Sequence, residues 1–235
     1  MFTQRSPDVI TSSRAEVTNA FMRGVYLWMT LGLALTAACA WAALSVPAVM
    51  QFVFGSKGVY IGLLLAELAL VFIISGMIHK LSGTAATGLF LLYSALNGLT
   101  LSAIMVIYTQ TSVAAAFLTA AGMFGAMSIY GLVTKRDLTG MGSFLTMGLF
   151  GILIAMIVNM FLQSGTFSLA ISILGVFIFL GLTAYDTQAL RNMGESAPMD
   201  DRTAIQRGTI LGALKLYLDF INIFLFLLRF MGDRR

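Results

Sequence analysis

The sequence predicts an all-α polytopic membrane protein with seven transmembrane helices. Three observations carry that expectation. The chain is 59% hydrophobic and only 10% charged, with a mean hydropathy of +0.92, whereas soluble domains are about a quarter charged. Seven apolar stretches reach the roughly 20 residues that cross a bilayer core. Their hydrophobicity is continuous, not alternating, so in lipid, where the backbone must satisfy its own hydrogen bonds, they are helices and not barrel strands.

Span 1 covers 24–46 and follows a polar segment, 1–22, expected to be a flexible cytoplasmic tail. Arg5, Arg14 and Arg23 precede the first apolar run, which is too long for the core of a cleaved signal and reads as a retained anchor. The single cysteine, Cys39, packs there as a small hydrophobe. Span 2, 58–78, carries Glu67 within "LLLAELALVF" and runs into His79 and Lys80. Span 3 is 85–108, with Asn97, and span 4 is 112–133, where "AAGMFGAMSIYG" supplies small residues for close helix packing. Span 5 is 142–162, span 6 is 168–190 with Asp186 near its end, and span 7 is 207–229 with Lys215 and Asp219. The longest connection between late spans, 191–206, is too small to fold alone, so 23–235 forms one transmembrane domain. One histidine and no thiolate cluster argue against a structural metal site, and no cofactor is expected.

Charge sets the expected orientation. With the N-terminus cytoplasmic, Arg5, Arg14, Arg23, Lys80, Lys135, Arg136, Arg191, Arg202 and Arg207 collect on the cytoplasmic side, against Lys57 alone in the opposite loops. The net charge of +4 therefore speaks of orientation in a lipid bilayer and not of nucleic acid. Arg229, Arg234 and Arg235 break the pattern. Either span 7 is a full crossing whose late charges are overruled, or it re-enters; seven crossings is the preferred reading. Short tails without targeting signals favour a bacterial inner membrane over an organelle.

Intramembrane charge is costly and marks function more often than not. Lys215 and Asp219 are four apart and share a helix face, so they can pair. Spans 6 and 7 are antiparallel neighbours, which brings Asp186 toward Asp219 with an axial offset of about one or two turns. If the two carboxylates meet in low dielectric, they cannot both ionise and must share a proton. Such a pair changes charge near physiological pH, and its titration gives helices 6 and 7 a reason to part. Other readings stand beside this one. Asp186 can simply fasten or snorkel at a helix end, and Glu67 is either a helix fastener or a stop on a cation path. Lys80, His79 and Lys215 are the candidate cations for an aspartate pair.

The strings "LFLLYSALNGLTLSAI" (89–104), "GLTAYDTQAL" (181–190) and "ALKLYLDFINIFLFLLRF" (213–230) closely resemble the transmembrane Bax inhibitor motif family in its bacterial branch. The resemblance runs over essentially all seven spans. It implies a seventh helix at the centre with six packed around it. It also implies a pH-sensitive calcium leak whose proton sensor and gate are the aspartates matching Asp186 and Asp219, with Glu67 on the ion path. Calcium would be the transported ion, bound transiently at Asp186, Asp219 and Glu67. In some bacterial members a basic residue late in span 2 latches onto the aspartates; "SGMIHKLS" offers Lys80 or His79 there without a firm match.

The expectation is therefore not an enzyme. Two intramembrane aspartates also resemble the presenilin-type aspartyl proteases, but those flank the second aspartate with glycine, and "LYLDF" does not. The serious rival is a non-conducting membrane protein that modulates a partner, such as a quality-control protease or a cell-death regulator.

Overall fold

The computed structural model describes residues 7–196 and 201–233, with side chains from Arg14 onward. Arg5, Arg234 and Arg235, part of the charge argument above, lie outside the described residues. The described chain forms α1 (Pro7–Ser45), α2 (Pro47–Phe54), α3 (Lys57–Met77), α4 (Gly83–Ile107), α5 (Gln110–Val133), α6 (Thr139–Leu162), α7 (Gly165–Ser196) and α8 (Arg202–Met231). A single 3₁₀ turn, Ile78–Lys80, extends α3. Seven of these helices, all except α2, are long and apolar enough to cross a membrane. No strand occurs among the described residues.

Element boundaries differ from the hydropathy reading in three places. Residues 7–22, expected as part of a flexible tail, belong to α1, which runs from Pro7 and already buries Phe21 and Met22. Hydropathy locates where the chain enters lipid, whereas helix length follows propensity, which residues such as Ala15 and Glu16 sustain in water. Likewise α7 continues to Ser196, six residues beyond the expected end at Leu190. The third difference is α2, an apolar eight-residue helix that the sequence reading merged into the connection. It starts because Pro47 forces Val46 into an extended conformation (φ −111, ψ 106) and then serves as a first-turn proline. Short connections are closed by side-chain caps: Ser82 Oγ accepts from Ala85 N (3.1 Å) and Asp201 Oδ1 accepts from Ala204 N (2.9 Å).

Centrality of the last helix is plain in the packing. In its most apolar window α8 is 72% buried, against 6% to 50% for the other six spans. It touches α1, α3, α4, α5 and α7, while α6 packs mainly on α7 at the periphery. Ile210, Leu214, Leu216, Tyr217 and Ile223 of α8 are wholly enclosed. Outward faces are the reverse: Phe161 of α6 is 82% exposed and Leu118 of α5 is 71% exposed. An apolar surface of that extent is intelligible only against lipid.

Helix α8 crosses completely. Near its start Gln206 packs on Gly83 beside the α3–α4 connection. Beyond its end, Asp233 O accepts from Thr109 N (3.1 Å) and Asp233 N donates to Ser112 Oγ (3.0 Å), at the α4–α5 connection on the opposite end. The re-entrant alternative is thereby removed, and Arg229 stands at the far end from Lys80, Lys135 and Arg136.

Candidate functional site

The site is built on the seam between α7 and α8. Asp186 sits ten residues before the end of α7, where that helix still packs tightly on α8. Lys215 and Asp219 occupy successive turns of α8 on one face, as their spacing requires. Lys215 Nζ donates to Asp186 Oδ1 at 3.3 Å. Lys215 therefore pairs across the seam, and not with Asp219 on its own helix as the four-residue spacing allowed. Register gives the reason. Lys215 is one turn nearer than Asp219 to the α7–α8 connection, which brings it level with Asp186 on the antiparallel helix.

Asp219 is the more enclosed acid, only 4% exposed. Its Oδ2 is out of solvent contact and has no hydrogen-bond partner among the described residues. Asp219 lies one turn beyond Lys215 on the same face of α8, so all three charged side chains stand along the seam. The two acids are thus neighbours, but the hydrogen bond between them that a shared proton would need is not among the described contacts. Lys215 takes that place on Asp186.

Glu67 lies elsewhere. Both of its oxygens accept hydrogen bonds from α4: Asn97 Nδ2 donates to Oε2 (3.0 Å) and Thr100 Oγ1 to Oε1 (2.8 Å). Tyr217 Oη then donates to Asn97 Oδ1 (2.9 Å) and lies 2.6 Å from Thr36 Oγ1. The chain Glu67–Asn97–Tyr217–Thr36 fastens α3, α4, α8 and α1 together. Residues 217 and 219 are two apart, so they face opposite sides of α8. Glu67 is thereby separated from the aspartate cluster by the width of the central helix. In this arrangement its two oxygens tie α3 to α4, and a cation coordinated by both must displace both donors. His79 and Lys80 are exposed in the 3₁₀ turn, and no bond from either to the aspartates is among the described contacts.

Sequence reasoning missed three contributors. Tyr217 stands inside the quoted "LYLDF" string, yet an aromatic in an apolar run carries no sign of a buried hydrogen-bond role. Thr36 is equally silent. Gln188, two residues past Asp186, clamps the α5–α6 connection from α7: its Nε2 donates to Arg136 O (2.7 Å) and its Oε1 accepts from Leu138 N (2.9 Å). In the same connection Asp137 Oδ1 accepts from Thr139 N (2.9 Å) and Thr139 Oγ1 (2.6 Å). Those bonds hold the Asp137 carboxyl below its ordinary range.

Among the described residues no three histidine, cysteine or acidic side chains gather as a metal cage. The seam itself holds two carboxylates, Asp186 and Asp219.

A match to the family described as inhibitor of apoptosis-promoting Bax1 extends over residues 18–235. The chain belongs to the Bax inhibitor family. Several relatives are similar over nine tenths or more of their lengths. The inner membrane protein YbhL of Escherichia coli K12 is 53% identical over 228 residues, covering 97% of both chains. An uncharacterised protein of Borreliella burgdorferi is 46% identical over 228 residues, 96% of this chain and 98% of its own. A third, from Deinococcus radiodurans, is 46% identical over 214 residues, covering 91% and 90%. With seven membrane-length helices, this Bax inhibitor family member is an integral membrane protein.

Proposed function

We propose that the protein is a pH-sensitive calcium leak pathway, gated at the α7–α8 seam by the cluster Asp186–Lys215–Asp219. One observation carries the reading: a fully enclosed carboxyl, Asp219, with an unpartnered oxygen beside an acid already held by Lys215. Buried acids without compensation are kept where charge must move. With Lys215 on Asp186 the seam is closed. A change in protonation alters the count of charges facing one another, weakens the Lys215 bond and favours a state in which α7 and α8 part. Water and calcium then reach the carboxylate oxygens that a hard cation prefers. Proton and calcium compete for the same atoms, and weak binding permits passage. Glu67 is a further stop on the path, reached only when its two donors from α4 let go.

Charge distribution supports a cytoplasmic N-terminus, since Arg23, Lys80, Lys135 and Arg136 gather at one end of the bundle. The printed name of the E. coli relative supports the bacterial inner membrane. The Lys215 bond to Asp186 argues against an aspartyl protease, whose two acids share their proton over a water.

The test is calcium uptake into proteoliposomes of the purified protein between about pH 5 and pH 8. Wild type is expected to conduct with a pH-dependent rate, and Asp219→Asn to conduct with a flattened profile. Uptake no greater than in protein-free vesicles would overturn the channel. That outcome favours a second reading, a non-conducting modulator of a partner membrane protein, which the family's description as an inhibitor of Bax1 supports.

A further inference from the structure

The seam between α7 and α8 continues beyond Asp219, and what closes it there is apolar. The two helices are antiparallel and keep one register. Asp186 meets Lys215 at one level, and eleven residues along each helix Gly175 meets Phe226. At 1.5 Å per residue the two meetings stand about 16 Å apart, with Asp219 between them. Phe226 is 6% exposed, and its ring covers Gly175 so closely that a Cβ there would come within 2.8 Å of three ring carbons. Phe179, one turn from Gly175 on α7, adds a second ring with its centroid 5.9 Å from that of Phe226. The side chains of this closure carry no oxygen for a hard cation. An ion leaving the carboxylates toward the far end of α8 is stopped here.

Beside the closure there is room for the ring. A cavity of about 130 Å³ lies between α6, α7 and α8, its lining including Leu149, Ile152, Met156, Phe179, Asn222 and Phe226. An apolar cavity of about 150 Å³ takes up benzene, so this space is of a size that suits a phenyl group. Close-packed interiors leave few voids of this kind. Its α6 wall belongs to the span least held by the rest of the bundle, 6% buried in its most apolar window, and can yield to a moving ring. Asn222 lines the same cavity one turn nearer Asp219. Its Nδ2 donates to Leu218 O of its own helix (2.8 Å), which places a polar group between the ring and the acid.

We infer that Phe226 is a second, apolar gate in series with the Lys215–Asp186 bond. Seated on Gly175 it shuts the far half of the seam; swung into the α6–α7–α8 cavity it opens the way from Asp219 past Asn222. The inference rests on the channel reading of the seam. A constriction of this type blocks an ion by excluding water.

The test compares calcium uptake into proteoliposomes by wild type, Phe226→Ala, Ile152→Phe and the double variant. Phe226→Ala removes the ring and should raise uptake severalfold. Ile152→Phe fills the cavity and should slow uptake when Phe226 is present, yet change nothing once Phe226 is alanine. Uptake by Phe226→Ala at the wild-type rate overturns the gate, as does equal slowing by Ile152→Phe in both backgrounds. Uptake by no variant defeats the channel reading itself, and the closure is then read by water access. For that arm Asp219→Cys, with Cys39→Ala, is labelled by a membrane-impermeant thiosulfonate added on the side of the α8 C-terminus. Phe226→Ala should speed labelling severalfold, and equal rates with and without it overturn the closure. Phe226→Leu, a milder cut in the same direction, carries both arms with the same expected and overturning results if the alanine variant does not fold.

Discussion

Lys215 Nζ of α8 meets Asp186 Oδ1 of α7 at 3.3 Å, while Asp219, one turn further along α8, is left with an unpartnered buried oxygen. Three charges in one enclosed seam thus have a single bond between them. The proposed switch rests on that imbalance, because a fastener would satisfy both acids.

Lys215→Met keeps the apolar stem and removes the ammonium, which leaves Asp186 with no partner across the seam. Lys215 is 43% exposed, so the pair is partly screened. The expected loss is about 1–2 kcal/mol, read as a lower Tm in detergent, with Lys215→Arg close to wild type. Equal Tm values for Met and wild type would show that the bond does not hold the seam.

Tyr217→Phe preserves the edge-to-face packing on Phe90 and Tyr93 but removes the hydroxyl that joins Asn97 to Thr36. The cost is expected at about 0.5–2 kcal/mol, the range for hydrogen bonds between membrane helices. In a double-mutant cycle with Asn97→Ala the two losses should be less than additive, since both delete one bond. Strict additivity would mean the network does not act as a unit.

Gln188→Leu is nearly isosteric and cuts both ties to the α5–α6 connection. Amide exchange at Leu138 and Thr139 should rise clearly above wild type, with α7 itself still protected. Unchanged exchange in residues 134–141 would place the hold on the connection elsewhere.

Asp137→Ala tests a pH effect whose sign follows from its lowered carboxyl range. A group depressed on folding adds stability above its unfolded value, about pH 4, and loses it as pH falls through the folded one. Wild type should therefore exceed the variant in Tm at neutral pH, with the gap narrowing as the pH falls below the ordinary carboxylate range. A gap that widens in acid has the wrong sign.

Gly98→Ala sets a Cβ against the Thr36 carbonyl and 2.7 Å from Cys39 Cβ, forcing α1 off α4, at an expected cost of about 1–3 kcal/mol. Gly76→Ala meets open space and should be neutral or mildly stabilising. Similar Tm changes for the two would refute close contact at Gly98.

The sequence by itself determined the number of crossings, their order and the family, because lipid admits only helices of a set length and the motif strings fall within them. It also picked out Asp186, Lys215 and Asp219, since charge inside such segments is too costly to be incidental. Partnership was decided only in three dimensions. Whether Lys215 bonds the acid on its own helix or the one across the seam depends on axial register. Whether Glu67 joins the aspartates or stands behind α8 depends on rotation about the helix axis. Neither quantity is written in a hydropathy profile, which records how deep a residue lies and not which way it faces. The helical start of α1 and the short α2 were missed for another reason: propensity and Pro47 set them, and hydropathy records neither.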